Sequence, residues 1–259
     1  MILTADYHTH TKYSHGKGSV LENAIIAKNL GLKELGISDH GFAHPAFGLT
    51  KNKVSKLKKD CEFASSQTGV KVLVGIESNI TSVSGNVDLK PKRYDDFDIF
   101  IAGFHKFVLA RPTMIFTMGI PNILLSKFGA KNVSKSLIKT NTKAFVNVVK
   151  NNPIDIISHL NFCAYADAVE VAKVCADYGT YLELNSKKVH LTDEEIDKIL
   201  QTKVRFVIGS DAHSPNRVGE ISLVENTIKR LNVPLNRIDN IDGRLPDFRF
   251  RKFKDKNEL

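Results

Sequence analysis

The chain is poor in the residues that build covalent or thiolate frameworks. Its 259 residues include three cysteines, Cys61, Cys163 and Cys175, widely spaced and without a CxxC pair. An odd, scattered set excludes a disulfide framework and a cysteine zinc site, so all three read as small buried hydrophobes. Long apolar runs are also missing. No stretch approaches the roughly 18 residues that span a membrane, and "MILTADYHTH" soon turns polar. No transmembrane segment or signal peptide is therefore expected, and the expected location is cytoplasmic. Linkers and low-complexity tracts are absent, which points to a single domain over residues 1–246. The basic tail 247–259, "DFRFRKFKDKNEL", lacks periodicity and is expected to be mobile. Acidic residues are in the minority, 28 against 37 basic ones, for a formal net charge of +9. That balance favours anionic partners without choosing between phosphate esters and nucleic acid.

What is present is an alternation. Short β-branched runs at 2–7, 34–38, 71–76, 98–103, 155–158, 181–184 and 205–209 alternate with longer amphipathic segments. This is the pattern of repeated βα units around a parallel sheet, and seven strands suggest a closed or nearly closed α/β barrel. Ser19 and Thr192 are placed to cap helices, and Gly31 and Gly179 to end them. The stretch 107–132 fits poorly, being apolar yet interrupted by Pro112, Gly119, Pro121 and Gly129. It reads as an insertion after the fourth strand, serving as a lid, a contact between copies in a homo-oligomer, or a membrane-touching patch.

The polar residues follow one rule. His8, His10 and His15, then Asp39-His40, Glu77, His105, His159, and Asp211 with His213 all lie at or just beyond the C-terminal ends of successive expected strands. In a parallel barrel those ends share one face, where the βα loops build the site. Seven of the nine histidines thus converge, together with Glu77 and Asp211. Neutral imidazole and carboxylate suit zinc, manganese or iron. In "HTH" the i and i+2 side chains of a strand share a face, so His8 and His10 can grip one ion. Nine candidate ligands exceed one coordination sphere, which implies two to three divalent ions, zinc first, bridged by a carboxylate. His44 reads as a rim residue, His190 as surface, and Asp39 as a residue that orients His40 or caps its loop.

Taken in order, "DYHTHTKYSHG", "GISDHG", "GIESNI", "GNVD", "IAGFH", "DIISHL", "LELN" and "GSDAHSPNRVGE" resemble the PHP (polymerase and histidinol phosphatase) family, closest to its stand-alone bacterial members. The resemblance covers nearly the whole chain. It implies a distorted seven-stranded (β/α) barrel, TIM-like, with a trinuclear metal site. By motif, His8, His10, Glu77 and Asp211 would hold one ion, Glu77 with His105 and His159 a second, and His15, His40 and His213 a third, with Glu77 as bridge. The long segment after His105 departs from the family pattern.

The function implied is hydrolysis of phosphate esters by a metal-activated hydroxide, on a small phosphorylated metabolite such as histidinol phosphate. Glu77, Asp211 and His213 stand as catalytic residues, and Lys17 and Arg217 as candidates to grip the phosphate. One alternative is a phosphodiesterase or nuclease, to which Lys135, Lys139 and Lys143, four apart on an expected helix, would offer a basic ridge. Another is a non-catalytic docking module, against which the full set of ligands argues.

Overall fold

The computed structural model describes residues 1–106, 108, 112–125 and 133–257. Seven strands form one sheet: β1 (Ala5–Thr9), β2 (Glu34–Ile37), β3 (Lys71–Asn79), β4 (Ile99–Gly103), β5 (Ile156–Ile157), β6 (Tyr181–Asn185) and β7 (Phe206–Gly209). They lie in chain order and every neighbouring pair is parallel. Helices cover the outside, so most strand residues are buried on both faces, the polar positions of β1 and β6 included.

The sheet nearly closes on itself, and side chains complete the seam between β7 and β1. The Asn240 amide donates to Ala5 O at 2.8 Å and to Ile208 O at 2.7 Å, while its Oδ1 accepts from Ile208 N–H at 2.9 Å. Buried Asp6 on β1 accepts from the Ser210 amide and hydroxyl and from the Gly219 amide. Higher up, the His10 amide donates to Ala212 O at 2.8 Å. These bonds fix the loop after β7 against the end of β1, where the histidines begin.

Ala5, Tyr7, Ile99, Ile101, Ile156, Tyr181 and Val207 fill the barrel interior, and a larger apolar layer lies between strands and helices. Ser19 and Thr192 head their helices in reciprocal capping boxes with Glu22 and Glu195. Asp167 caps Ala168–Tyr178, which Gly179 ends at φ 70°. The three cysteines are free and buried.

One expectation is corrected. The stretch taken as an irregular, mobile tail carries a helix, Arg249–Asn257, whose Phe250 is fully buried against Phe100 and Tyr94. Phe248 packs edge-on against Tyr7 and Tyr181 at the barrel's interior. Alternating Arg and Lys gave this stretch a polar composition and hid its aromatic anchors. Phe250→Ala is expected to lower stability by about 3–5 kcal/mol, the usual range for emptying a buried Phe site, read as an earlier urea midpoint at unchanged slope.

The insertion is described in part. Residues 107, 109–111 and 126–132 lie outside the described residues. Between them, Pro112–Met114, a π-helical turn at Ile115–Gly119, and Ile120–Leu125 form a helical passage. The prolines and Gly119 do not break it; the wide turn precedes Pro121, which has no N–H to offer the helix. Buried Asn122 and Asn141 exchange two hydrogen bonds, at 2.9 and 3.0 Å, which fasten the passage to Lys135–Asn151.

Candidate metal centre

All nine sequence-derived ligands meet at the C-terminal end of the barrel. The strands carry them further than expected: β1 extends through His8 to Thr9, and β3 runs past Glu77 to Asn79. Glu77 is the hub and both its oxygens are engaged. Oε1 lies 2.7 Å from His159 Nε2, 3.2 Å from His105 Nε2 and 3.4 Å from His8 Nε2. Oε2 lies 3.0 Å from His40 Nδ1 and 3.6 Å from His10 Nε2. Asp211 Oδ1 reaches His213 Nδ1 at 3.2 Å and His10 Nε2 at 3.5 Å.

Among the described residues, potential ligand atoms within 4.8 Å of one another fall into four overlapping groups: His10, His40 and His213; His8, His159 and Asp211; His8, His10 and Glu77; and His40, Glu77 and His105. Eight of the nine candidates belong to one or more. The ninth, His15, is more exposed but stacks on His40 with ring centres 4.7 Å apart and lies 4.2 Å from the His213 ring. His8, His10, His40 and Glu77 each belong to two of these groups, so the groups interlock.

The donors fit divalent cations. His8 Nδ1 lies 2.6 Å from Glu183 Oε1, so a neutral His8 gives its proton there and turns a lone pair at Nε2 towards His10 Nε2, only 3.1 Å away. Two nitrogens that close need a cation or a proton between them. His40 Nδ1 is buried and has no hydrogen-bond partner although Glu77 Oε2 is 3.0 Å away. Burial pushes His10 well below and His40 below the usual imidazole range, and burial with His213 and His40 nearby takes His15 to about 3. Burial opposes ionisation of Glu77 and Asp211, but the imidazoles around them outweigh it and hold both carboxyls well below their usual range. Burial opposes a proton on His8 and His159 as well, but the carboxylates that face them outweigh it and raise His8 well above, and His159 above, the usual imidazole range. A cation that replaced those protons would leave neutral imidazole beside ionised carboxylate, the state that binds metal.

A further ring of groups orients these donors. Glu183 holds His8 through Oε1 and accepts the His159 amide through Oε2 at 2.8 Å. Gly209 faces it across the sheet, and a Cβ there would overlap Glu183 Oε1 and crowd His8. His105 Nδ1 lies 2.9 Å from Asn79 Oδ1, and the Asn79 amide groups are held in turn by buried Asp88. Asp39 accepts from the Thr11 amide and hydroxyl and from Ser14, so it fastens the loop after β1. His159 and Asp211 have positive φ, 25° and 49°, a conformation uncommon outside glycine and concentrated at functional sites. Glu183 escaped the sequence reading because one acid within "YLELN" looks like an ordinary exposed strand position. Its signal was a charge inside a strand buried on both faces. Glu183→Gln is expected to weaken zinc binding about 10–100-fold, the range for losing a group that orients a ligand, measured by competition with a chromogenic chelator.

A cavity of about 440 Å³ opens over the cluster. Lys106, Lys187 and Lys188 line it, while Lys17 and Arg217 do not. Lys17 meets the site only through its amide, which donates to His213 O, and Arg217 belongs to a short 3₁₀ turn, Pro215–Arg217. The lysines that line the cavity stand on other loops than those two. Lys187 Nζ stands 3.1 Å from His213 Nδ1 and 3.4 Å from Asp211 Oδ1. His44 lines the cavity beside Phe47, and His190, expected at the surface, lines it against Phe162 with ring centres 4.8 Å apart.

Among known proteins, the chain is 29% identical over 248 residues to a probable phosphatase of Caldanaerobacter subterraneus, covering 90% of this chain and 85% of that one. It is 28% identical over 250 residues to a probable phosphatase of Clostridium botulinum, covering 91% and 89%. Among solved structures, histidinol phosphate phosphatase from Lactococcus lactis, complexed with zinc, L-histidinol and phosphate, superposes with a TM-score of 0.58 at 15% identity, covering 89% of this chain and 94% of that one. That likeness establishes the shared barrel. Residues 6–187, most of the chain, match the PHP domain, and the protein belongs to the PHP domain family.

Proposed function

We propose that the protein is a metal-dependent phosphomonoesterase acting on a small phosphorylated substrate. The observation that carries this reading is the cluster around Glu77 at the floor of a cavity whose cations are lysines. The probable phosphatases among its relatives support the phosphatase class. His8, His10, His40, Glu77, His105, His159, Asp211 and His213, with His15 at the edge, would hold two to three divalent ions, zinc first and manganese or iron as alternatives. Such ions supply an activated water and neutralise charge on the phosphoryl oxygens.

The chain's own groups do the rest. Glu77 and Asp211 fix where cations can gather, and Glu183 and Asn79 fix how His8 and His105 face them. Lys187, paired with Asp211 and His213 at the cavity wall, places an ammonium where it can also donate to a phosphate oxygen. Phe47 and Phe162, each packed on a site histidine, wall part of the cavity. Lys135, Lys139 and Lys143 are solvent-exposed and do not line the cavity, so no second observation joins them to a nuclease reading.

Lys187→Ala is expected to raise KM for a small monoester by about 10–100-fold, the value of one hydrogen bond to a charged group, with metal content unchanged. Phosphate release from small monoesters by zinc- or manganese-loaded protein, set against cleavage of a single-stranded oligonucleotide, tests the reading. Monoester turnover supports it; oligonucleotide cleavage without monoester turnover contradicts it.

A further inference from the structure

The space around the metal centre does not end at His105. A second cavity of about 390 Å³ adjoins it, lined by Phe104, Val108, Met114, Ile115, Ile120 and Ile123, together with Gly119. His105 and Lys106 line both cavities. Building on the phosphatase reading above, we infer that the substrate is an amphiphilic phosphate monoester whose phosphate sits at the Glu77 cluster and whose hydrocarbon tail occupies this second cavity.

Four observations support the assignment. The two cavities are continuous in their lining, since one imidazole and one ammonium serve both. His105 Nε2 stands 3.2 Å from Glu77 Oε1, so the apolar space begins one ring away from the cluster. The lining is also chemically selective: among its described side chains only His105 and Lys106 are polar, and both lie at the junction. A sugar or nucleoside placed deeper would give up its hydrogen bonds to water and find no replacement. Finally, Ile115 and Ile120 remain 37% and 42% exposed on a passage fastened to the body by the Asn122–Asn141 pair. Hydrocarbon in the cavity removes that apolar surface from water, and the volume suits a short chain.

The geometry also assigns the parts. The helical passage Pro112–Leu125 supplies the tail site, Lys106 marks the boundary, and the ester oxygen lies on the His105 side. The passage therefore selects the substrate while the barrel acts on it.

The test uses n-alkyl phosphates from ethyl to octyl, kept below their micellar concentrations, with the metal-loaded full-length protein. kcat/KM is expected to rise about fourfold per added methylene, the gain from burying one CH₂, and to level off when the cavity is full. Non-hydrolysable n-alkyl phosphonates should show the same progression in calorimetric affinity, with a negative heat-capacity change. In Ile115→Asp and Ile120→Asp the ratio of octyl to ethyl turnover should collapse, each variant's own ethyl phosphate rate serving as the reference. A flat chain-length series in protein that hydrolyses ethyl phosphate overturns this inference and leaves the phosphatase reading intact. A slope retained in both variants also overturns it, by placing the tail elsewhere. Failure to release phosphate from any ester overturns both.

Discussion

Glu77→Gln is expected to abolish phosphate-ester turnover, with a loss of at least about 10³-fold, and to strip most of the metal from a folded protein. The magnitude follows from the several kcal/mol of charge stabilisation that bound cations provide, at about 1.4 kcal/mol per decade of rate. Glu77 is the residue on which the two halves of the site depend. Its Oε1 faces His8, His105 and His159, and its Oε2 faces His10 and His40. Glutamine keeps the volume but replaces one oxygen with an NH₂ that donates, aimed at nitrogens that would hold a cation. Thermal melting gives a readout independent of activity. A cation that binds only the folded state raises the melting temperature according to its concentration relative to Kd, so zinc should shift the parent protein upward and leave Glu77→Gln nearly unmoved. An equal shift in both would remove Glu77 from the centre.

Asp211→Asn is expected to have the next largest effect, again a loss of about 10³-fold in turnover, with fewer ions retained. Asp211 sits at φ 49°, a conformation that asparagine also tolerates, so the backbone of the loop after β7 should persist. What disappears is a negative charge that faces His10, His213 and Lys187 within 3.5 Å. Without it the Lys187 ammonium and any cation beside His10 repel each other with no anion between them. Near-normal turnover in a folded Asp211→Asn protein would contradict the account.

These residues were legible in the sequence because a parallel barrel converts order along the chain into place in space. "HTH", "SDHG", "GIES", "GFH", "ISHL" and "GSDAH" each follow an apolar run, and the common direction of the strands carries them to one face. The supporting residues were not legible for physical reasons. Glu183 faces its partners only once β6 lies beside β7 and Gly209 leaves room for it. That Lys187 lines the cavity and Lys17 and Arg217 do not has no signal in the sequence, because loop side chains have no periodicity from which to read a direction. His190 looked like a surface residue until Phe162, from a distant loop, packed against it. The same holds for Phe248 and Phe250, whose burial depends on ring contacts with Tyr7, Tyr94, Phe100 and Tyr181 across the chain.

The central claim is that the cluster around Glu77 exists to hold cations. Elemental analysis of untagged protein after exhaustive dialysis against metal-free buffer and reconstitution with zinc or manganese tests it most directly. The account requires two to three ions per chain, falling sharply in Glu77→Gln; a folded chain that retains none would contradict it.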